Sequence, residues 1–417
     1  MPLAPHARHD TDTTIPSFAS RQAERRPELR NDGPRIAVIG NHPPRQCGIA
    51  SFTRDVTEGL ERLGCSLQIT AMCDRGGEDG YPVHVETIVD ASSRAEHSWA
   101  GEAIERWRPD AVLVEHEYGI FGGPSGLWLL DMLDAIDAPV VTTLHTVLAE
   151  PNEEQSHVMA RLVERSSKLI VMAKAGRTLL EAQDVPASRI AVIPHGAPDR
   201  AWEHPSAARD RLGWRDVPTL MTFGLLSPGK GIENVVDALP RILESMPSAR
   251  YVLLGATHPH LLAREGERYR DSLLARAEEL GVAHALHMIP RFVSNGELCD
   301  ALAASDLYVT PYGNPQQITS GTLAYALALG KPILSTPYVH ACEVLPPEQI
   351  VPHGDSAALG ERVAAMLGDP ERLNALSRRT WRNARNTVWS AVARRTLDVL
   401  NEASDGTDGR TALIAAE

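Results

Sequence analysis

The feature that most constrains this chain is an alternation, run through twice, of short β-branched runs with segments of helical periodicity. From Pro34 onward the runs at 35–40, 66–73, 110–116, 139–145 and 168–173 read as strands, each bounded by Gly, Pro or polar residues. Between them lie helical patterns such as 48–64, where Ile49, Phe52, Val56 and Leu60 recur on one face. A second series predicts strands at 218–226, 250–256, 285–289, 307–312 and 331–338, and helices at 231–246, 268–280, 295–304, 356–367 and 372–400. Strands that alternate with helices pair in parallel, because a parallel neighbour is reached only through a crossover. The predicted fold class is therefore α/β, with two doubly wound domains. A length of 417 residues agrees, since it exceeds what one core ordinarily holds. Sheets of this kind bind ligands beyond the carboxyl ends of their strands, which places the site in the cleft between the two.

The division this predicts is a flexible arm over 1–33, a first domain over 34–195, a linker over 196–217, a second domain over 218–375, a final helix over 376–402 and a flexible tail over 403–417. The linker is expected to have little regular structure. With 43% hydrophobic and 23% charged residues the composition is that of a globular protein. A net charge of −13 argues against broad nucleic-acid binding, so no nucleic-acid partner is expected. No apolar run approaches the ~18 residues that mark a membrane-spanning helix. The first twenty residues lack the apolar segment of a secretory signal, and a cytoplasmic location is expected. Five scattered cysteines and 16 histidines form no ligand spacing, and no metal is predicted.

Against this frame a few residues carry chemistry. The stretch PYGNPQQITSGTLAYALALGKP, 311–332, ends a strand and opens a helix at Ser320. A helix start offers free N–H groups and a positive dipole end, so Thr319, Ser320, Gly321 and Thr322 are candidates for holding a phosphate. Ser320 also reads as an N-cap, which is compatible. Lys230 stands between Gly229 and Gly231 at another strand-to-helix turn, where an ammonium on a flexible stem suits diphosphate oxygens. His145 ends the strand VVTTLH and is expected to face the cleft. In Glu115-His-Glu-Tyr-Gly-Ile-Phe-Gly-Gly123 an acid, an aromatic and a histidine stand together, making Glu117, His116 and Tyr118 candidates for recognising acceptor hydroxyls.

The order NHPPRQCGIASF, FGLLSPGKGIENVVDAL and PYGNPQQITSGTLAYALALGKPILST resembles the retaining glycosyltransferases of family 4, over about residues 35–400. HEYGIFGG with TTLHTV points to the mannosyltransferase-like branch. The resemblance implies the GT-B fold: two Rossmann-like domains facing across a cleft, acceptor side first and donor side second, with a C-terminal helix crossing back to the first domain. That makes the basic run 378–395 a structural helix with a solvated basic face, the other reading being a peripheral membrane or partner surface. The resemblance also implies a nucleotide-sugar donor, GDP-mannose favoured over UDP- or ADP-sugars, a carbohydrate or glycolipid acceptor, and no required cofactor or metal. Lys230 would neutralise the leaving diphosphate, His145 would contact the donor sugar, Gly48 would let the backbone approach the donor phosphate or the acceptor, and Arg291 and Phe292 would hold the base through backbone groups, Phe292 reading equally as a core residue. Family members deprotonate the acceptor with the leaving phosphate.

Three positions depart from the family. Leu225 replaces an arginine that follows the strand glycine, and Gln316 and Ala324 stand where two glutamates are expected. Gln316 can still hydrogen-bond sugar hydroxyls, but Ala324 can make no ribose contact. Arg45 is a candidate to restore the charge missing at Leu225. Two further readings stay open: a phosphorylase that binds free phosphate at the Ser-Gly-Thr turn, and a catalytically silent sugar-binding or regulatory subunit. The oligomeric state is unassigned.

Overall fold

The computed structural model describes residues 33–74 and 80–414, so the predicted arm lies outside the described residues apart from Gly33. The first domain contains β1 (Arg35–Gly40), α1 (Gly48–Arg62), β2 (Ser66–Cys73), β3 (Val85–Asp90), α2 (Arg94–Trp107), β4 (Ala111–His116) and α3 (Trp128–Leu133). It continues with β5 (Val140–Leu144), α4 (Glu153–Arg165), β6 (Ser166–Val171), α5 (Lys174–Glu181) and β7 (Ile190–Val192). After α6 (Pro205–Leu212) the second domain runs β8 (Thr219–Phe223), α7 (Ile232–Ser245), β9 (Arg250–Leu254), α8 (Pro259–Glu265), α9 (Arg268–Glu279), β10 (Leu286–Ile289) and α10 (Asn295–Ala304). Then come β11 (Leu307–Thr310), α11 (Gly321–Ala328), β12 (Ile333–Ser335), α12 (Val339–Val344), α13 (Ser356–Leu367), α14 (Pro370–Asn383) and α15 (Trp389–Ile414).

The strands pair in parallel as β3-β2-β1-β4-β5-β6-β7 and as β10-β9-β8-β11-β12. In each sheet the winding reverses beside its first strand, between β1 and β4 and between β8 and β11. These two switch points open the crevices where ligands bind in doubly wound sheets. The central strands are buried because helices cover both faces, with β4, β5 and β8 buried at every residue and β1 from its second residue to its last. Strand β3 sits at an edge and alternates, with Val85, Thr87 and Val89 inward and Glu86 and Ile88 out. That alternation, flanked by polar residues, left it outside the predicted set.

The linker and the final helix both differ from expectation. Residues 196–217 include α6, which opens on Pro205 and closes on Gly213 in the left-handed conformation. The predicted helix 372–400 is two helices, because the chain between them has another partner. Ala197 N–H donates to Thr387 O at 3.0 Å and Trp389 N–H to Ala197 O at 2.9 Å, a short parallel bridge that takes the backbone out of helix. Helix α15 then crosses to the first domain, where Trp389, Val392 and Leu400 join Ile36, Val38, Phe52 and Val56 in one core. It does not stop at 402: Ala403 is buried and the helix runs on to Ile414, in place of the expected flexible tail. Among the described residues no helix is long and apolar enough to cross a membrane.

Candidate functional site

On the second-domain side the site is built by the loops after β8 and β11, at that sheet's switch point. Gly231 is in the left-handed conformation with φ 61°, and a Cβ there would lie 2.1 Å from Pro311 O, so only glycine lets the two loops touch. Gly313 N–H donates to Gly229 O at 3.1 Å and completes the join. The result puts Lys230 Nζ 4.0 Å from the centroid of the Tyr312 ring. Tyr312 is fully buried and its hydroxyl lies 2.6 Å from Thr322 Oγ1, which in turn is 3.1 Å from Ser320 Oγ. Burial opposes ionisation of the Tyr312 phenol, and the Lys230 ammonium with the Thr322 hydroxyl outweighs it, moving its pKa below the ordinary value. Among the described residues no carboxylate pairs with Lys230.

Helix α11 starts beside this group. Ser320 caps it, accepting from Leu323 N–H, and its own N–H donates to His340 Nδ1 at 2.9 Å. His340 is buried, which pushes its pKa down to about 4, so the ring is neutral and able to accept that bond. Among the described residues the N–H groups of Gly321 and Thr322 have no acceptor, and these are the ones an anion would use. Thr319 is half-buried and its carbonyl accepts from Gln317. Gln316 is exposed on the turn before the helix.

On the first-domain side the loops after β1, β4 and β5 converge. His145 follows β5, and its Nε2 lies 2.8 Å from Oε2 of Glu115, a side chain 1% exposed. The Phe52 ring packs edge-on to His145 with centroids 4.8 Å apart, and also meets His195 and Trp389. Glu117 accepts from Tyr118 N–H and from Thr146 Oγ1 at 2.5 Å, so it braces the loop that carries His145. His116 does not face the cleft as expected. Strand alternation turns it into the core, where it is fully buried and stacked on Phe121, with its pKa pushed down to about 3 by burial. Tyr118 is largely enclosed in that core but also lines a cavity with Val147, Leu148 and Met159, so of the two rings it is His116 that is withdrawn from any acceptor.

Gly48 is exposed at the start of α1 and a Cβ there would meet nothing, so no crowding demands glycine. Arg45 is paired with Asp74 at 3.0 Å, which spends part of the charge that was to replace the missing arginine. Arg291 is exposed and bonded to Glu297 at 2.7 Å, and Phe292 is 43% exposed on the surface.

Several residues missed in the sequence hold the halves together. Asp55 of α1 is buried and accepts from Tyr325 Oη at 3.2 Å and Asn295 Nδ2 at 3.3 Å, both in the second domain. Glu343 of α12 caps α5 of the first domain, taking Lys174 N–H at 2.9 Å and Ala175 N–H at 3.2 Å. A cavity of about 580 Å³ lies on the hinge side of α11, lined by His195, Ala324, His340 and Arg379 among others. Its lining does not include Lys230, and of the three positions that depart from the family it contains Ala324. Among the described residues no group of three His, Cys, Asp or Glu stands close enough to hold a metal ion.

Comparison with known proteins agrees with this architecture. The family model described as Glycosyl transferase 4-like domain matches residues 47–196, and that described as Glycosyl transferases group 1 matches residues 207–385. A D-inositol 3-phosphate glycosyltransferase of Thermobispora bispora is 29% identical over 327 residues, covering 71% of this chain and 72% of that protein. A GDP-mannose-dependent monoacylated alpha-(1-6)-phosphatidylinositol monomannoside mannosyltransferase of Corynebacterium glutamicum is 25% identical over 182 residues, 42% of this chain and 44% of its own length. In structure, Anabaena HepE in complex with UDP and glucose superposes with a TM-score of 0.69 at 15% identity, over 88% of this chain and 99% of HepE. That last likeness is one of fold.

Proposed function

The chain belongs to glycosyltransferase family 4 and has the GT-B fold, and we propose that it transfers mannose from GDP-mannose to a hydroxyl of a carbohydrate or glycolipid acceptor, with retention at the anomeric carbon. The observation that carries this is the pairing of Lys230, free of any carboxylate partner among the described residues, with the open first turn of α11 at the switch point between β8 and β11. Both supply fixed positive charge where a leaving diphosphate would gather negative charge, and both are held in place before any ligand arrives. The Corynebacterium relative, which is GDP-mannose-dependent by name, supports the donor. His145 and Gln316 would orient the sugar from opposite sides of the cleft, and the departing phosphate would take the acceptor proton.

The test is turnover. The purified protein is incubated with GDP-mannose, UDP-glucose or ADP-glucose and a panel of glycoside acceptors, following nucleoside diphosphate release and the anomeric proton of the product by NMR. Release of GDP with an α-linked product from the α-donor supports the reading; a β-linked product refutes retention. The absence of a ribose carboxylate at Ala324 favours a second reading, a phosphorylase. Phosphate-dependent breakdown of a glycoside, without turnover of any sugar nucleotide, would establish that instead.

A further inference from the structure

The first domain carries a buried carboxylate that the transferase reading leaves unused. Along β4, Val112 and Val114 face one core while Ala111 and Leu113 face the other, under α1 and α15. The same alternation sends His116 to the first side and Glu115 to the second. Room for Glu115 is made by Gly40, where a Cβ would fall 2.9 Å from Glu115 Cβ. Burying a carboxylate is unfavourable unless it is hydrogen-bonded, and the bonds here are few: His145 Nε2 at 2.8 Å and Thr143 Oγ1 at 3.4 Å. The imidazole is therefore its main partner.

That partnership decides what His145 can do. An ionised carboxylate only accepts, so the ring nitrogen facing it carries a hydrogen. Phe52 closes one side of the ring, and the His145 backbone is pinned by its N–H to His116 O at 3.0 Å. Only 10% of the His145 side chain is exposed, and Nδ1 bonds to no described residue, so Nδ1 is the edge left to the cleft. Resting on the transferase reading above, we propose that Glu115 is a positioning residue: it fixes His145 with hydrogen on Nε2 and presents the Nδ1 lone pair to a hydroxyl of the transferred sugar. The role parallels that of carboxylates behind ligating histidines, where the outer partner sets tautomer and orientation.

The decisive experiment has two arms. In the ligand-free protein, ¹⁵N-histidine labelling and long-range ¹H–¹⁵N correlation report the tautomer, with the His145 signals identified by their loss in His145→Asn. The expected result is hydrogen on Nε2 in the wild type and a changed tautomer balance in Glu115→Gln, whose amide can donate to that nitrogen. In turnover assays Glu115→Gln should lower kcat at least ~10-fold with donor KM within about twofold, in line with losses of outer partners elsewhere. Glu115→Gln with His145→Ala should be no slower than His145→Ala alone. Hydrogen on Nδ1 in the wild type overturns the proposal, whether or not the variant folds. So does a Glu115→Gln enzyme with wild-type kcat. If no sugar nucleotide is turned over, the transferase reading fails by itself while the NMR arm still decides the tautomer.

Discussion

The Lys230 ammonium lies 4.0 Å over the face of Tyr312, and the hydroxyl of the same ring is 2.6 Å from Thr322 on the first turn of α11. One buried side chain thus connects both cationic elements of the proposed diphosphate site, the lysine through its π face and the helix start through its oxygen. Removing the oxygen while keeping the face separates the two contributions. Tyr312→Phe is expected to keep Lys230 in place but free the Thr322 hydroxyl, weakening nucleoside diphosphate binding about 3- to 10-fold, or ~1 kcal/mol. Titration calorimetry on wild type and variant measures this directly; unchanged affinity would mean that the hydroxyl chain does not organise the helix start.

Gly231 is the backbone counterpart of that arrangement. With φ 61° and Pro311 O 2.1 Å from where a Cβ would be, Gly231→Ala forces the β8 and β11 loops apart. The expected cost is ~1–3 kcal/mol in urea denaturation, together with loss of nucleotide binding. Gly48→Ala is the control, since a methyl group there meets nothing and stability should hold.

Asp55 ties the domains together, and its partners differ in what their loss exposes. Tyr325→Phe removes one bond and should lower stability by ~1 kcal/mol. Asp55→Ala leaves Arg54, Tyr325 and Asn295 without their common acceptor and should cost more, ~2–3 kcal/mol. Small-angle scattering should show a larger radius of gyration in both variants. Wild-type compactness and stability in Asp55→Ala would contradict its role as a strut between the halves.

His195 and His340 give the fold a particular acid response. Burial pushes each down to about 4 from an ordinary value of 6.5. In the unfolded chain they take up protons as pH falls through about 6.5, while folded they resist until about 4. The unfolded state therefore binds more protons in that window, and stability falls as pH is lowered across it, by ~1.4 kcal/mol per histidine for each pH unit. His340→Gln retains an acceptor for Ser320 N–H and should flatten the decline. Denaturation curves at about pH 7, 6 and 5 compare the slopes; equal slopes in wild type and variant would exclude His340 as a contributor.

How much of this was legible in the chain depends on how far apart the interacting residues lie. Strands such as IAVIG and AVLVEH announce themselves because parallel central strands are apolar on both faces. Lys230 and the Ser320 helix start were readable since each is a local turn with its own glycines. The alternating edge strand β3 escaped detection, and the helix α6 was passed over although Pro205 and Gly213 marked its ends. His116 is the last residue of the strand read at 110–116, and alternation along that strand places its ring on the side of Val112 and Val114, inside the core rather than with Glu117 on the loop. Asp55 with Tyr325, 270 residues apart, and Glu343 with the start of α5 have no local signature at all. Only the folded arrangement of two domains brings them together.

The most direct test of the central claim is thermal unfolding of the purified protein with GDP, UDP, ADP or inorganic phosphate, for wild type and Lys230→Ala. A ligand that binds only the native state raises the midpoint by mass action. GDP is expected to raise it in the wild type and not in Lys230→Ala, each measured against its own unliganded midpoint. A wild type that responds to no nucleoside diphosphate, or a Lys230→Ala variant that responds as strongly as the wild type, would contradict it.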